Sequence, residues 1–304
     1  MDLLNTLMSQ EREAMIMRQK ARRLVPTCNA VGSSPSSTNL VWRHMVVEWC
    51  YFTIDSVGAD RELVYIAMDI LDRFLELKSS YLRNQTEYEK AATAALLITA
   101  KLYADDYICP RRILQLTENS STTTKDIMDT TSDIYSTLSW ETSIPTAARF
   151  VKTLVGLIPS HSFQRAGKSR SDVFQEAVYQ IELSVQDAIY STFPASLVAW
   201  MALENVIESM NLLPTQDLQH FRFYVAGATG HEYNMELRSM LRSFNVPIII
   251  PDETQKPNPS TIKPRPLKDI PSVSVEDMMR LVELEEKCSL HRSNRSDQLR
   301  NYDE

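Results

Sequence analysis

Apolar positions between residues 91 and 106, AATAALLITAKLYADD, do not keep to one stripe. Six of the sixteen are Ala, and Leu96, Leu97, Ile98 and Leu102 spread around the helical wheel. A helix that is apolar nearly all round is a buried one. Small residues let neighbouring backbones approach closely, so this stretch predicts a central rod with other helices packed about it. Lys101 interrupts the rod near its C-terminal end. A half-buried ammonium needs carbonyls or a carboxylate. Two readings follow: a helix-end lysine bonding the last carbonyls of its own helix, or a contact to a second protein.

Helical spacing recurs on both sides of the rod. It predicts helices at about 41–57, 60–78, 86–104, 111–118 and 124–139, with Asn39 or Thr38, Asp60 and Thr86 as N-caps and Glu89 in capping-box spacing after Thr86. Leu63, Ala67, Ile70, Leu71, Phe74 and Leu75 share one broad face that should cover the rod. A second series is predicted at about 145–157, 171–190, 193–210, 214–227 and 231–243, with Pro145 and Pro194 at helix starts, where a missing N–H costs nothing. Within it, FPASLVAWMALENVIESM repeats the small-residue rod pattern. Two five-helix halves, each with a small-residue third helix, suggest an internal repeat of about a hundred residues.

The flanks differ from these halves. Residues 1–24 read as an amphipathic helix whose Met-rich face (Leu4, Leu7, Met8, Met15, Ile16, Leu24) either docks on its own chain or takes a partner. A Ser-rich hinge follows, with one Ser-Pro at Ser34 that could be a proline-directed phosphosite. After Asn245 a Pro-rich stretch reads as an extended linker, and a short helix is expected at 274–291. The expected organisation is 1–40 helix and hinge, 41–143 first bundle, 144–245 second bundle, and 246–304 linker and tail helix.

Composition narrows the function classes. Only 6 Gly in 304 residues argues against a β-rich fold or phosphate-cradling loops. A formal charge of −7 disfavours nucleic acid as a dedicated partner. Cys28, Cys50, Cys109 and Cys288 form no CxxC pair, so reduced thiols in the nucleus or cytoplasm fit better than zinc or disulfides. No signal-peptide pattern opens the chain and no run reaches membrane-span length, so no membrane association is expected. His44, His161, His220, His231 and His291 show no metal-ligand spacing, and GxSxG, GxGxxG and P-loop motifs are missing. No enzyme chemistry, cofactor or metal is expected.

Four motifs stand in a telling order: Trp42-Arg43-His44-Met45-Val46-Val47-Glu48-Trp49, Asp72-Arg73-Phe74-Leu75, Leu96-Leu97-Ile98-Thr99-Ala100-Lys101-Leu102, and Leu138-Ser139-Trp140 followed by Pro145-Thr146. Together they resemble the cyclin box. Glu182-Leu183-Ser184 with Asp187, and Phe193-Pro194-Ala195-Ser196, look like the C-terminal cyclin fold. The resemblance covers about residues 40–245, and Leu116–Ser120 with the Leu-Ser-Trp end are similar to D-type cyclins.

The resemblance implies an all-α fold of two tandem five-helix bundles, and a regulatory subunit that binds and activates a cyclin-dependent serine/threonine kinase in cell-cycle control. Lys101, Leu102, Thr131, Tyr135 and Trp140 would form the kinase interface, although Thr131 stands where the family's usual glutamate partner of the lysine would be. Arg43 and Asp72 match a structural ion pair. Trp42, Met45, Val46, Trp49 and Glu89 match a groove that docks short Arg-x-Leu peptides of substrates or inhibitors. Phe52 stands where some cyclins carry Glu, so a basic peptide should bind more weakly. Two other classes stay open: a cyclin-fold scaffold that binds a kinase without activating it, and a cyclin-fold transcription factor.

Overall fold

The computed structural model describes residues 2–24, 37–103, 113–114, 122–140 and 144–243. The Ser-rich hinge, most of the helix expected at 111–118, the D-type-like Leu116–Ser120 and the whole tail with its helix at 274–291 lie outside them. The described residues form eleven α-helices and two 3₁₀ turns, with no strand among them. In chain order these are α1 (Asp2–Leu24), α2 (Ser37–Val57), α3 (Glu62–Leu77), α4 (Gln85–Tyr103), α5 (Thr124–Thr137), α6 (Ala147–Leu157), α7 (Ser160–Ala166), α8 (Arg170–Ser184), α9 (Ala195–Ser209), α10 (Thr215–Thr229) and α11 (Met235–Ser243). The 3₁₀ turns are Ser79–Leu82 and Ala188–Thr192.

Buried apolar side chains gather into two cores. The first is built from α2, α3, α4 and α5, with Ile113 and Leu114. The second is built from α6 to α11. Each has a helix buried on all sides: every residue from Ala91 to Ala100 of α4, and every residue from Ala195 to Ile207 of α9. Alanines make both possible, because a rod of Leu or Phe would hold its neighbours too far apart to close the core. The N-terminal helix docks on its own chain, with Leu4, Leu7 and Met8 inside the second core.

Helix ends follow local chemistry, with four departures from the expected boundaries. Helix α2 begins at Ser37, so Thr38 and Asn39 lie inside it and are not its N-cap. Asn84, not Thr86, caps α4, its Oδ1 accepting from Glu87 N at 2.9 Å; Glu89 instead takes the Gln85 amide at 2.7 Å. Asn is a good cap and lies nearer the preceding turn. Helix α7 fills the gap after Pro159, ending at left-handed Gly167 (φ 62°). A helix of about two turns is too short to show a period. The helix expected over 171–190 stops at Ser184, and Asp187 caps the following 3₁₀ turn through Ile189 N at 3.0 Å. Reciprocal capping boxes, Thr123 with Asp126 and Ser169 with Asp172, start α5 and α8. Thr146 caps α6 one residue after Pro145, and its hydroxyl also donates to Glu62 of α3.

Candidate functional site

Beyond its buried stretch Ala91–Ala100, α4 ends in a last turn where Lys101, Leu102 and Tyr103 are half-buried. Helix α5 packs along it. Thr131 of α5 is buried, 2% exposed, and its hydroxyl donates to the Ile127 carbonyl of its own helix at 2.8 Å. A β-branched hydroxyl folded back on its helix offers nothing to a partner, so the position expected to face a kinase is part of the packing. Asp133, one of the two carboxylates beside it, accepts from Lys78 Nζ at 3.0 Å and from Tyr81 OH at 3.3 Å. The other, Asp129, is exposed.

Tyr135 is also buried and stacks on Trp140, ring centroids 4.5 Å apart and planes 18° from parallel. The turn that brings the indole there is unusual. Ser139 and Trp140 have φ 52° and 64°, two successive left-handed residues without glycine. Such backbone costs roughly 1–2 kcal/mol per residue. The bond from Trp140 N to the Tyr135 carbonyl at 2.9 Å and the stacked rings hold it. Trp140 keeps an exposed part. Of the five residues expected at this interface, Lys101, Leu102 and Trp140 present surface, while Thr131 and Tyr135 lie beneath it.

The five groove residues also divide. Val46 belongs to the first core, and Trp42 and Trp49 pack partly against it. Trp42 lies 6.1 Å from the Tyr88 ring at a tilt of 49°. Glu89 is half-buried and held by Gln85. Only Met45 is fully on the outside, 47% exposed. It is flanked along α2 by Val41 and Phe52, also exposed, so the outward apolar stripe is Val41, Met45 and Phe52. The i, i+4, i+11 spacing could have shown this stripe, but the two tryptophans point to the inward face.

Arg43 and Asp72 meet between the bundles. Arg43 Nη1 and Nη2 donate to the two Asp72 carboxylate oxygens at 2.5 and 3.1 Å, a bidentate pair only 5% and 13% exposed. Burial alone would lower the arginine pKa, but the Asp72 charge and hydrogen bonds raise it above its usual value. A third bond was not legible in the sequence: Arg43 Nε donates to the Val185 carbonyl at 3.0 Å. Val185, just past the end of α8, inserts its side chain into the first core. The same seam carries Tyr51 OH to the Glu182 carbonyl at 3.2 Å and Arg61 to the Glu182 carboxylate at 3.0 Å.

Beside that pair lies a cavity of about 100 Å³, walled by Glu11, Met15 and Arg18 of α1, Tyr65 and Asp69 of α3, and Tyr190. Burial pushes the Asp69 carboxyl above its ordinary range, against the pull of Arg73. In the second bundle, wholly buried Glu204 pairs with Arg222, whose guanidinium lies 4.6 Å over the Tyr233 ring. Burial also raises the Glu204 pKa, and the Arg222 hydrogen bond opposes it. Among the described residues no cluster of His, Cys, Asp and Glu could hold a metal ion, and no helix is long and apolar enough to cross a membrane.

Comparison with known proteins fits this arrangement. The family model of the cyclin N-terminal domain matches residues 12–143. A G1/S-specific cyclin-D of Caenorhabditis elegans is 27% identical over 117 residues, which are 38% of this chain and 28% of that protein. The chain therefore matches little more than a quarter of that relative's length. A viral cyclin from herpesvirus saimiri, known from its X-ray structure, is similar at 15% identity and a TM-score of 0.49, over 74% of this chain and 95% of the viral one. The matched domain runs from the second half of α1 to just beyond Trp140 and takes in α4, the buried rod of the first bundle, so this part of the chain is similar to the cyclin N-terminal domain.

Proposed function

We propose that this protein is the regulatory subunit of a cyclin-dependent serine/threonine protein kinase and activates it in cell-cycle control, in the nucleus, the cytoplasm or both. The observation that supports this most directly is the end of α4: a rod buried on every side surfaces at Lys101 and Leu102, inside the region matched by the cyclin N-terminal domain. Trp140, on its left-handed turn, is the third half-buried member of the proposed contact. The mechanism is conformational. The first bundle favours the kinase's active arrangement by binding it more tightly than the inactive one. The chain supplies no bond-making group; positioning of the nucleotide and the phosphoryl-transfer chemistry belong to the kinase.

One observation favours a second reading, a scaffold that binds a kinase without activating it. Thr131, where a carboxylate would complete the lysine's contact, is buried with its hydroxyl bonded to its own helix. Co-expression with a partner kinase separates the two. The activator reading requires kinase activity to rise with the complex, and binding without a rise selects the scaffold. Pull-down from the protein's own cells tests the contact itself. Lys101→Ala should recover clearly less kinase than wild type, and equal recovery removes Lys101 from the interface.

A further inference from the structure

Helix α1 is fastened unevenly. One face of its first third is buried, with Leu4, Leu7 and Met8 in the second core. At its middle, Glu11 is 5% exposed and accepts from Ser196 N at 2.9 Å and from Ser196 Oγ at 2.5 Å. That carboxylate does what the residue before α9 cannot: Pro194 stands at the N-cap with no side-chain bond to offer. The Ser196 hydroxyl gives its proton to Glu11, so His231 Nε2, 2.7 Å from the same oxygen, must be the donor in that contact. This half of α1 is thus locked to the second bundle by apolar burial and by a helix cap supplied from 185 residues away.

The second half is held differently. Met15 and Ile16 are exposed, and the wall of the inter-bundle cavity runs beneath Ala14, Met15 and Arg18. Arg18 reaches across it, donating through Nε and Nη2 to the Glu76 carboxylate of α3 and through Nη1 to the Ser191 carbonyl at 3.3 Å. The ion pair is 21% and 27% exposed. A part-exposed pair of long side chains holds weakly and is screened by salt.

We infer that α1 is a strap with one locked and one releasable end: residues 12–20 lift from α3 and uncover the cavity between the bundles while residues 3–8 stay seated in the second core. Arg18 is the catch and Glu11 the anchor. Once lifted, that half has no packing partner, and a helix of so few residues is marginal in water. Lifting therefore shows as loss of amide protection.

Hydrogen exchange of the full-length protein, read by mass spectrometry on peptides covering residues 3–8, 12–20 and 195–198, tests this. Raising the salt concentration, or Arg18→Ala, should speed exchange in 12–20 by about tenfold or more and leave 3–8 and 195–198 within about twofold of the starting protein. Glu11→Gln should speed 3–8 and 195–198 as well. If 3–8 and 12–20 accelerate together in Arg18→Ala, α1 is one rigid piece and the inference fails. It fails equally if 12–20 responds neither to salt nor to Arg18→Ala. Should Glu11→Gln not fold, the salt series and Arg18→Ala decide alone.

Discussion

Replacing Arg43 by Met keeps length and apolar contact but leaves two buried groups stranded. Asp72, 13% exposed, loses its counter-ion, and the Val185 carbonyl loses its donor. Removing one side of a buried pair costs roughly 3–5 kcal/mol and an orphaned carbonyl about 1 kcal/mol more, so Arg43→Met should lose ~4–6 kcal/mol. Against an ordinary total of ~5–15 kcal/mol this brings the protein close to unfolding. The double variant Arg43→Met with Asp72→Leu removes the stranded charge and keeps only the carbonyl penalty, so it should lose ~1–2 kcal/mol and be the more stable of the two. Urea titration of wild type, both single variants and the double variant, followed by far-UV circular dichroism, gives the coupling directly. The reasoning is refuted if Arg43→Met lies within ~1 kcal/mol of wild type, or if the double variant is no more stable than Arg43→Met.

Other outcomes follow from the same structure. Thr131→Glu forces a carboxylate into a site 2% exposed, so it should destabilise the first bundle by ~2–4 kcal/mol in thermal or urea unfolding; a gain in kinase binding at unchanged stability would show that the side chain reaches the surface after all. The folded-state pKa of Glu204 is raised by burial, so its folded state binds the proton more tightly than the unfolded chain. Its contribution is therefore present below the ordinary glutamate range and lost as pH rises through the raised value. Glu204→Gln should flatten that part of the stability–pH curve, and an unchanged curve would count against it. Gly58 has φ 70° and open space where a Cβ would stand, with nothing within 4 Å, so Gly58→Ala should cost only the backbone penalty of ~1 kcal/mol, measured by the shift in urea midpoint; a loss several times larger would mean the site is not open. Trp140→Ala removes the ring stack on Tyr135 and should lose ~1 kcal/mol in the same assay, together with kinase recovery in pull-down.

The parts of the fold legible in the sequence were those fixed by local pattern. The alanines of α4 and α9 announced two buried rods because no surface helix tolerates apolar residues on every side. Features that depend on distant partners were not legible. Nothing near Ser184 explains why α8 stops there; beyond it, Val185 is held by Arg43 and packed into the first core. Nothing near Pro194 shows that α9 takes its cap from Glu11. The candidate contact was only partly legible for a related reason. Thr131 and Tyr135 share a helix with exposed neighbours, and wheel position alone could not tell which side α4 would cover. Trp42 and Trp49 carried the motif, while the exposed stripe of Val41, Met45 and Phe52 runs beside them, about 70° around α2.

The bond from Arg43 to Val185 also sets an order of events during synthesis. The two residues are 142 positions apart, an interval of about 7–30 s at typical rates of translation. Until then the first bundle has a gap where Val185 belongs, and Arg43 can hold Asp72 but not the Val185 carbonyl. Glu11 waits longer still, for a serine 185 positions later. The nascent chain therefore carries an unfinished first bundle and an undocked α1 until those residues have been made. Val185 completes the first bundle, whereas α1 must also wait for the rest of the second core, up to Leu241.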